Sequence, residues 1–457
     1  MGSLLTSLLN SSNALSVYNR VFNVVQNNIT NANTPGYAKQ DQLLIAMPFN
    51  PAEGITGGVM AGPTLSARSE YIEQDVRNQQ NLLGDAQQRA ADLGQVQPLF
   101  GLGASGGAAN AMNDFFNGFS QLSVNPNDEV ARQSVIDSAN QVAQSFNETA
   151  TGITQVSRNI DSQTRDAIAQ LNQLTSQIAS LNTQYRSNSA ASQDAGLDAQ
   201  MHAALENLSQ LVNFSLIKTG DGAINVYLGG QTPLVIGGDS FQISADFSTP
   251  ETIIRDSRSD AITSQIAGGS LGAMLQEKNQ TLPGYLAQLN KIAQTFADQV
   301  NAHLLLGVDK NGAAPTMDLF SYNQPGDAAF SLKVTGITPD QITAALPSAP
   351  GGNGNAIAIS QLATAPLVDG FTFTEAYGNL GSQVGRDVAA ANGDRSQAQD
   401  LVTQAQQQRS QQSGVSLNEE AAKLLQFQQA YQAAGKMVTV LNELSQTLMN
   451  LIPESGA

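Results

Sequence analysis

The 457 residues include no cysteine, which excludes disulfides, thiol catalysis and thiolate metal sites together. Charge is scarce as well. Asp, Glu, Lys and Arg make up 13% of the chain, against roughly 25% in ordinary globular proteins. The polar surface must therefore come from Gln, Asn, Ser and Thr, which lie against one another without heavy desolvation of charge. Positive charge is the scarcer sign: 21 Lys and Arg face 38 Asp and Glu, a net of −17. Such a chain repels nucleic acid and anionic lipid, so neither nucleic acid nor membrane is expected as a partner. No stretch approaches the roughly 18 apolar residues of a membrane span. The N-terminus has no basic segment, and Asn10, Ser11, Ser12 and Asn13 interrupt its apolar run, so it does not read as a cleaved secretory leader.

What is present is helical periodicity, strongest at the two ends. Leu8, Leu15, Tyr18, Phe22, Val25 and Ile29 recur at gaps of three, four or seven, and Leu424, Phe427, Tyr431, Ala434, Val438, Leu441, Leu444, Leu448 and Leu451 at gaps of three and four. Stripes of this kind keep one helical face toward a partner helix. Both ends are therefore expected to be buried against other helices, in this chain or in neighbouring copies. The first helix is expected over 4–31, stopped by Thr34-Pro35-Gly36, because Pro drives the residue before it out of the helical region.

Between the ends the chain alternates. Residues 40–68 hold too much Pro and Gly for a helix and read as extended or loop. A helical block with Tyr71, Ile72, Val76, Leu82, Leu83, Ala86, Ala90, Leu93 and Val96 on an approximate face ends at Pro98 and the glycines of 101–107. A short helix near 109–122 carries Phe115, Phe116 and Phe119. The longest element is expected to start with Asn125 as N-cap and Pro126 at the first helical position. Its seam runs Val142, Phe146, Ile153, Val156, Ile160, Ala167, Leu171, Leu174, Ile178, Leu181, Tyr185. About 60 residues would span about 90 Å, a length found in rods more than in compact enzymes. From residue 212 the pattern turns to alternation broken by Gly pairs, a β-meander ending near Phe241–Ile243. Helical spacing returns at Leu286, Leu289, Ile292, Phe296 and Val300; Phe330, Leu332 and Val334 read as a second β patch, and 348–355 as a flexible connection. The last hundred residues are mostly helical, with a break at Gly414 and a capping box at Ser416–Glu419.

The expected fold class is α+β: an elongated, mainly long-helix bundle with terminal coiled-coil helices and β-rich insertions. The expected domains are a terminal assembly region (1–45 with 415–457), a helical bundle (46–211 with 262–308 and 355–414) and a β-rich outer domain (212–261 with 309–354).

Chemistry is sparse. Gly101-Leu102-Gly103-Ala104-Ser105-Gly106 matches G-x-G-x-x-G, but that fingerprint needs a preceding strand, and a helical segment with Pro98 precedes it here; it reads as a loop. The two histidines, His202 and His303, are not paired at i, i+4 and read as structural. Asp309-Lys310-Asn311-Gly312 lacks the alternating carboxylates of a calcium loop and reads as an Asx turn. No catalytic, cofactor or metal site is expected, and the chain does not read as an enzyme.

The ends carry a resemblance. Asn28-Ile29-Thr30-Asn31-Ala32-Asn33-Thr34-Pro35-Gly36-Tyr37, with Gly414-Val415-Ser416-Leu417-Asn418-Glu419-Glu420-Ala421 and Gln428-Gln429-Ala430-Tyr431, is similar to the signatures of bacterial flagellar axial proteins (rod, hook and hook-associated subunits). Phe115-Phe116, Asn125-Pro126, Ala131-Arg132-Gln133, Gln177–Asn182 and Gly268–Gly272 resemble the family of first hook–filament junction subunits. For that family the chain is short, and the outer β domain is expected to be reduced or absent; Pro283 falls where an unbroken helix is expected.

The resemblance implies a passive structural subunit in a homo-oligomeric ring, placed outside the cell between hook protein FlgE and the second junction protein FlgL. It implies passage through the flagellar type III channel without a cleaved signal peptide, and an export chaperone, FlgN, at about 418–452. No cofactor is implied. The candidate assembly residues are Leu8, Leu15, Tyr18, Phe22, Val25, Ile29, Asn31, Thr34, Pro35, Gly36, Tyr37, Leu424, Phe427, Tyr431, Val438, Leu441 and Leu448. The competing readings are a hook or distal-rod subunit, a secreted coiled-coil adhesin, and an enzyme or ligand-binding module in the β lobe. The long helix opposes the first, the Asn28–Tyr37 turn the second, and the lack of paired titratable groups in 212–255 the third.

Overall fold

A computed structural model describes residues 2–50, 55–101, 107–187 and 194–450. The terminal unit begins with α1 (Gly2–Thr30). A ribbon follows, in which β1 (Gln40–Ala46), β2 (Phe49–Asn50), β3 (Ile55–Thr56) and β4 (Val59–Ser66) pair as β1 with β4 and β2 with β3, both antiparallel. The Pro- and Gly-rich segment is thus a hairpin. Pro63 and Gly62 sit in an edge strand, where no second neighbour needs their hydrogen bonds.

The body contains α2 (Glu70–Val96), α3 (Ala108–Val124), α4 (Glu129–Ser187) and α5 (Ala195–Leu211). At 59 residues α4 is about 88 Å long. Its seam from Val142 to Leu181 is buried throughout. Its start differs from the expected one. Helix α3 runs on to Val124, so Asn125 ends α3, and the carboxylate of Asp128 accepts from the amides of Val130 and Ala131 at 2.8 and 3.3 Å. Asp128, two residues beyond Pro126, therefore caps α4, because a turn must separate the two helices. Gly152 makes room for Leu99: a Cβ there would lie 2.6 Å from Leu99 Cδ2, so that side chain would have to shift.

An antiparallel meander follows, β5 (Phe214–Lys218), β6 (Ile224–Leu228), β7 (Thr232–Ile236) and β8 (Asp239–Ser240), then a hairpin of β9 (Ser244–Asp246) and β10 (Ile253–Arg255). The β structure thus continues past Ile243. Val226, Leu228, Leu234, Val235 and Ile254 share one core with Ile168, Leu171, Leu174 and Ile178 of α4 and Leu205 and Leu208 of α5. Two asparagines of α4 staple it down: Asn172 bonds both backbone groups of Ile243, and Asn182 those of Ile224.

Helix α6 (Gly269–Gln276) passes through a five-residue π-helical turn, Glu277–Thr281, into α7 (Leu282–Leu305). Pro283 lies just after the π turn, which interrupts the regular i→i−4 ladder where its ring and missing N–H would otherwise break it. Beyond come β11 (Phe320–Ser321), α8 (Ala328–Ser331), β12 (Lys333–Val334), α9 (Gly354–Gln361), α10 (Phe373–Ser413) and α11 (Leu417–Asn450). Phe330 lies in α8 rather than in a strand, half exposed; the short pairing is Phe320–Ser321 with Lys333–Val334.

The two β-containing segments do not form one outer domain. Residues 319–344 join the larger core, with α3, the first half of α4, α7 and α10. There Phe296 packs edge-on against Phe115, Phe116, Phe320 and Phe373. Arg132 and Asn147 of α4 hold the 309–354 segment through the carbonyls of Pro339, Ile342, Ala329 and Leu332. Asn172 and Asn182 hold the meander roughly 40–75 Å further along α4, at 1.5 Å per residue. The meander therefore lies beside α5 and the terminal unit, not at the opposite end of the molecule.

Candidate assembly interface

Helix α11 starts beside the end of α1 and runs back along it. Val17, Val21 and Val25 form the buried stripe of α1, followed one turn on by Asn28. Tyr18 meets Phe427 with ring centroids 5.9 Å apart, and Phe22 meets Tyr431 edge-on at 5.8 Å; such pairs contribute about 0.5–1.5 kcal/mol beyond their buried area. Leu8, Leu15, Val438 and Leu441 are half-buried. Ile29, Leu424 and Leu448 are 36, 37 and 40% exposed, so the chain itself covers them only in part. Helix α1 carries overlapping apolar stripes, and periodicity alone does not choose between Val17-Val21 and Leu15-Ile29. Leu451 lies outside the described residues, as do residues 102–106 of the G-x-G-x-x-G pattern.

The pair is closed by Asn28, which is fully buried. Its amide nitrogen donates to the Gln40 carbonyl (2.8 Å) and to Glu420 Oε2 (2.9 Å). Its oxygen accepts from the Gln40 amide (3.0 Å) and the Tyr37 hydroxyl (2.9 Å). All the hydrogen-bonding capacity of one side chain thus joins α1, the turn, β1 and α11. Burial, helped by the charge of Glu420, pushes the Tyr37 hydroxyl up to about 12. Asn31 anchors the turn from within: its Nδ2 donates to Asn27 and its oxygen accepts from Thr34. Thr34 and Pro35 are exposed.

Gly36 attaches this unit to the body. Its φ is +74°, and a Cβ would press into the backbone carbonyl of Ala199 in α5; both facts require glycine. The Gly36 carbonyl accepts from Arg68 Nη2 at 2.6 Å. The same guanidinium reaches Glu73 Oε1 (2.6 Å) and Asp198 Oδ2 (2.7 Å). Arg409 of α10, bonded to Glu206 at 2.6 Å, stands 3.6 Å from Glu73. One ionic cluster therefore ties the turn to α2, α5 and α10. His202 sits inside it, 4.0 Å from Glu73 and 3.6 Å from Asp198. Burial, reinforced by Arg68, Arg77, Lys218 and Arg409, holds its imidazole down to about 2, so it is neutral. These residue types could serve a metal or a hydrolase, but arginine already occupies both carboxylates, and no group of three His, Asp or Glu among the described residues could hold a metal ion. Arg68, Glu73 and Asn28 carry no pattern that marks them in the sequence as a group, since each lies on a different element. Among the described residues no helix is long and apolar enough to cross a membrane.

Residues 93–320 match the family model described as the flagellar hook-associated protein FlgK helical domain. Residues 406–451 match that of the flagellar basal body rod FlgEFG protein C-terminal region. The chain is similar to flagellar hook-associated protein 1 of Bacillus subtilis, with 26% identity over 98% of this chain and 99% of that one. It is likewise similar to the protein of the same name from Escherichia coli, with 23% identity over 98% of this chain and all of that one. The fold resembles that of the flagellar hook junction protein FlgK from Burkholderia pseudomallei, with a TM-score of 0.67 at 17% identity, covering 74% of this chain and 99% of that one. Two matched regions far apart in sequence, one in the body and one in the last helix, agree with full-length likeness, and the chain belongs to the flagellar hook-associated protein FlgK family.

Proposed function

We propose that this chain is a structural, non-catalytic subunit of the bacterial flagellum, joining hook to filament as one member of a ring of identical copies. The observation that carries the assembly reading is the uncovered apolar surface of the terminal unit. Leu5, Leu9, Ile29, Leu425, Met437, Val440, Leu444 and Met449 stand exposed on the helix pair, and Leu43, Ile45, Met47, Phe49 and Met60 on the ribbon beside it. Large exposed apolar surfaces on soluble proteins mark sites of interaction. Covering apolar area gains about 25 cal/mol per Å², so neighbours that cover the unit are favoured. Leu424, Leu448 and the other partly exposed seam residues face those neighbours, while the buried ones hold α1 to α11. Hook protein FlgE and the second junction protein FlgL are the flanking layers, and a chaperone of the FlgN kind masks 418–452 before export.

Removing residues 418–457 is expected to leave the meander folded, seen as unchanged hydrogen-exchange protection over 214–255, while abolishing incorporation onto hooks. Normal filaments with that truncation would sink the assembly reading. Immunogold labelling is expected to mark only the distal end of isolated hooks; label along the whole hook would favour a hook subunit instead.

A further inference from the structure

The π-helical turn between α6 and α7 faces two ways. Inward, Glu277 is 1% exposed, and its Oε2 has no hydrogen-bond partner. Arg89 Nε, equally buried and equally unpartnered, stands 3.9 Å from Glu277 Oε1. An acid and a base thus stop just short of each other. Arg89 is held back by Asp85 Oδ2 at 3.0 Å and the Gln276 side-chain oxygen at 3.3 Å. The remaining surroundings oppose a charge on Glu277. Asp92 of α2 is fully buried, with both oxygens bonded only to Gln88. Asp387 of α10 already accepts from Tyr285 of α7 at 2.6 Å. Asp394 of α10 adds its charge near Asp85, and the Thr281 hydroxyl is the single neutral donor in favour of ionisation. On α4, Asp161 is turned away, toward Lys278.

Outward, the next two residues of the same turn form a clamp. Lys278 Nζ donates to Asp161 Oδ2 (2.8 Å) and Ser157 Oγ (3.0 Å) of α4. The Asn279 side chain takes the amide (2.8 Å) and the carbonyl (3.0 Å) of Thr252, and the Thr252 hydroxyl returns to Asp161 at 3.1 Å. The meander and its hairpin are thus fastened to α4 by side chains one and two positions from Glu277.

We propose that the turn Glu277–Thr281 is a proton-operated clamp: protonated Glu277 keeps it closed on Thr252, and ionised Glu277 draws the turn toward Arg89 and releases the β9–β10 hairpin. A π turn carries one residue more than an α turn and is a natural place for such a register adjustment. Burial first, then the neighbouring carboxylates of Asp92 and Asp387, pushes the Glu277 carboxyl up to about 7, so the change falls near neutral pH.

Hydrogen exchange on the full chain, corrected for intrinsic rates, tests this between pH 5.5 and pH 8. Protection of the Thr252 amide and of 277–282 is expected to fall about tenfold or more, the factor that accompanies each pH unit of such linkage, while the Phe115–Phe119 amides stay unchanged. Glu277→Gln is expected to keep the clamp shut at both pH values. Asn279→Ala is expected to leave Thr252 unprotected at both, and it reports on the clamp even if Glu277→Gln fails to fold. A flat profile in the unaltered protein, or a loss that persists in Glu277→Gln and vanishes in Asp92→Asn, overturns the proposal.

Discussion

At the scale of single residues, the terminal unit is held by contacts that leave no slack. Glu73 is buried and depends on Arg68, which also binds Asp198 and the Gly36 carbonyl. Removing one partner of a buried ion pair typically costs about 3–5 kcal/mol. Arg68→Met is therefore expected to lower the urea midpoint markedly and to expose 30–70 to proteolysis. Lys39→Ala breaks only a pair with Glu419, which is 65% exposed, and should cost under about 1 kcal/mol. His202 makes a pH prediction of the opposite sign to Glu277. A base whose folded value is lowered binds its proton only in the unfolded chain, so stability is lost as pH falls from the ordinary 6.5 toward about 2. Glu277, an acid raised to about 7, removes stability as pH rises from 4.5 to that value. Denaturation midpoints are expected to decline on the acid side less steeply in His202→Gln, and on the approach to neutrality less steeply in Glu277→Gln.

At the scale of elements, what could be read in advance depended on repetition. The seam of α4 repeats over more than forty residues, and so many consistent spacings leave one face to bury. The start of α4 rests on a single capping choice between Asn125 and Asp128, which local propensity does not decide. Asp128→Ala should cost about 1 kcal/mol by thermal unfolding. Phe330, Leu332 and Val334 do not form one strand, because three alternating residues also fit one helical turn and a two-residue strand. Phe296 illustrates what the pattern does not contain: its spacing marks it as core, but the four rings around it come from three other segments. Phe296→Ala is expected to cost about 3–5 kcal/mol, read as a lower melting temperature with the meander less affected, since that belongs to the other core.

At the scale of the molecule, one long helix spaces two cores, and the terminal unit sits against the end that carries the meander. Residues 319–344 fall at the other end, although their β character suggested a single outer domain. The sequence by itself determined that both ends are helical and apolar, that a long helix runs through the body, that no thiol chemistry is possible, and that the Asn28–Tyr37 turn stops α1. Periodic burial and turn stereochemistry act within a few residues, and they leave their mark in the order of the letters. Tertiary structure alone decided which face of α1 meets α11, that Asn28 meets Gln40 and Glu420, that Arg68 meets Gly36 and Asp198, and that Glu277 stands 3.9 Å from Arg89. Those outcomes depend on side chains far apart in the chain competing for the same buried space, and no local spacing records which of them prevails.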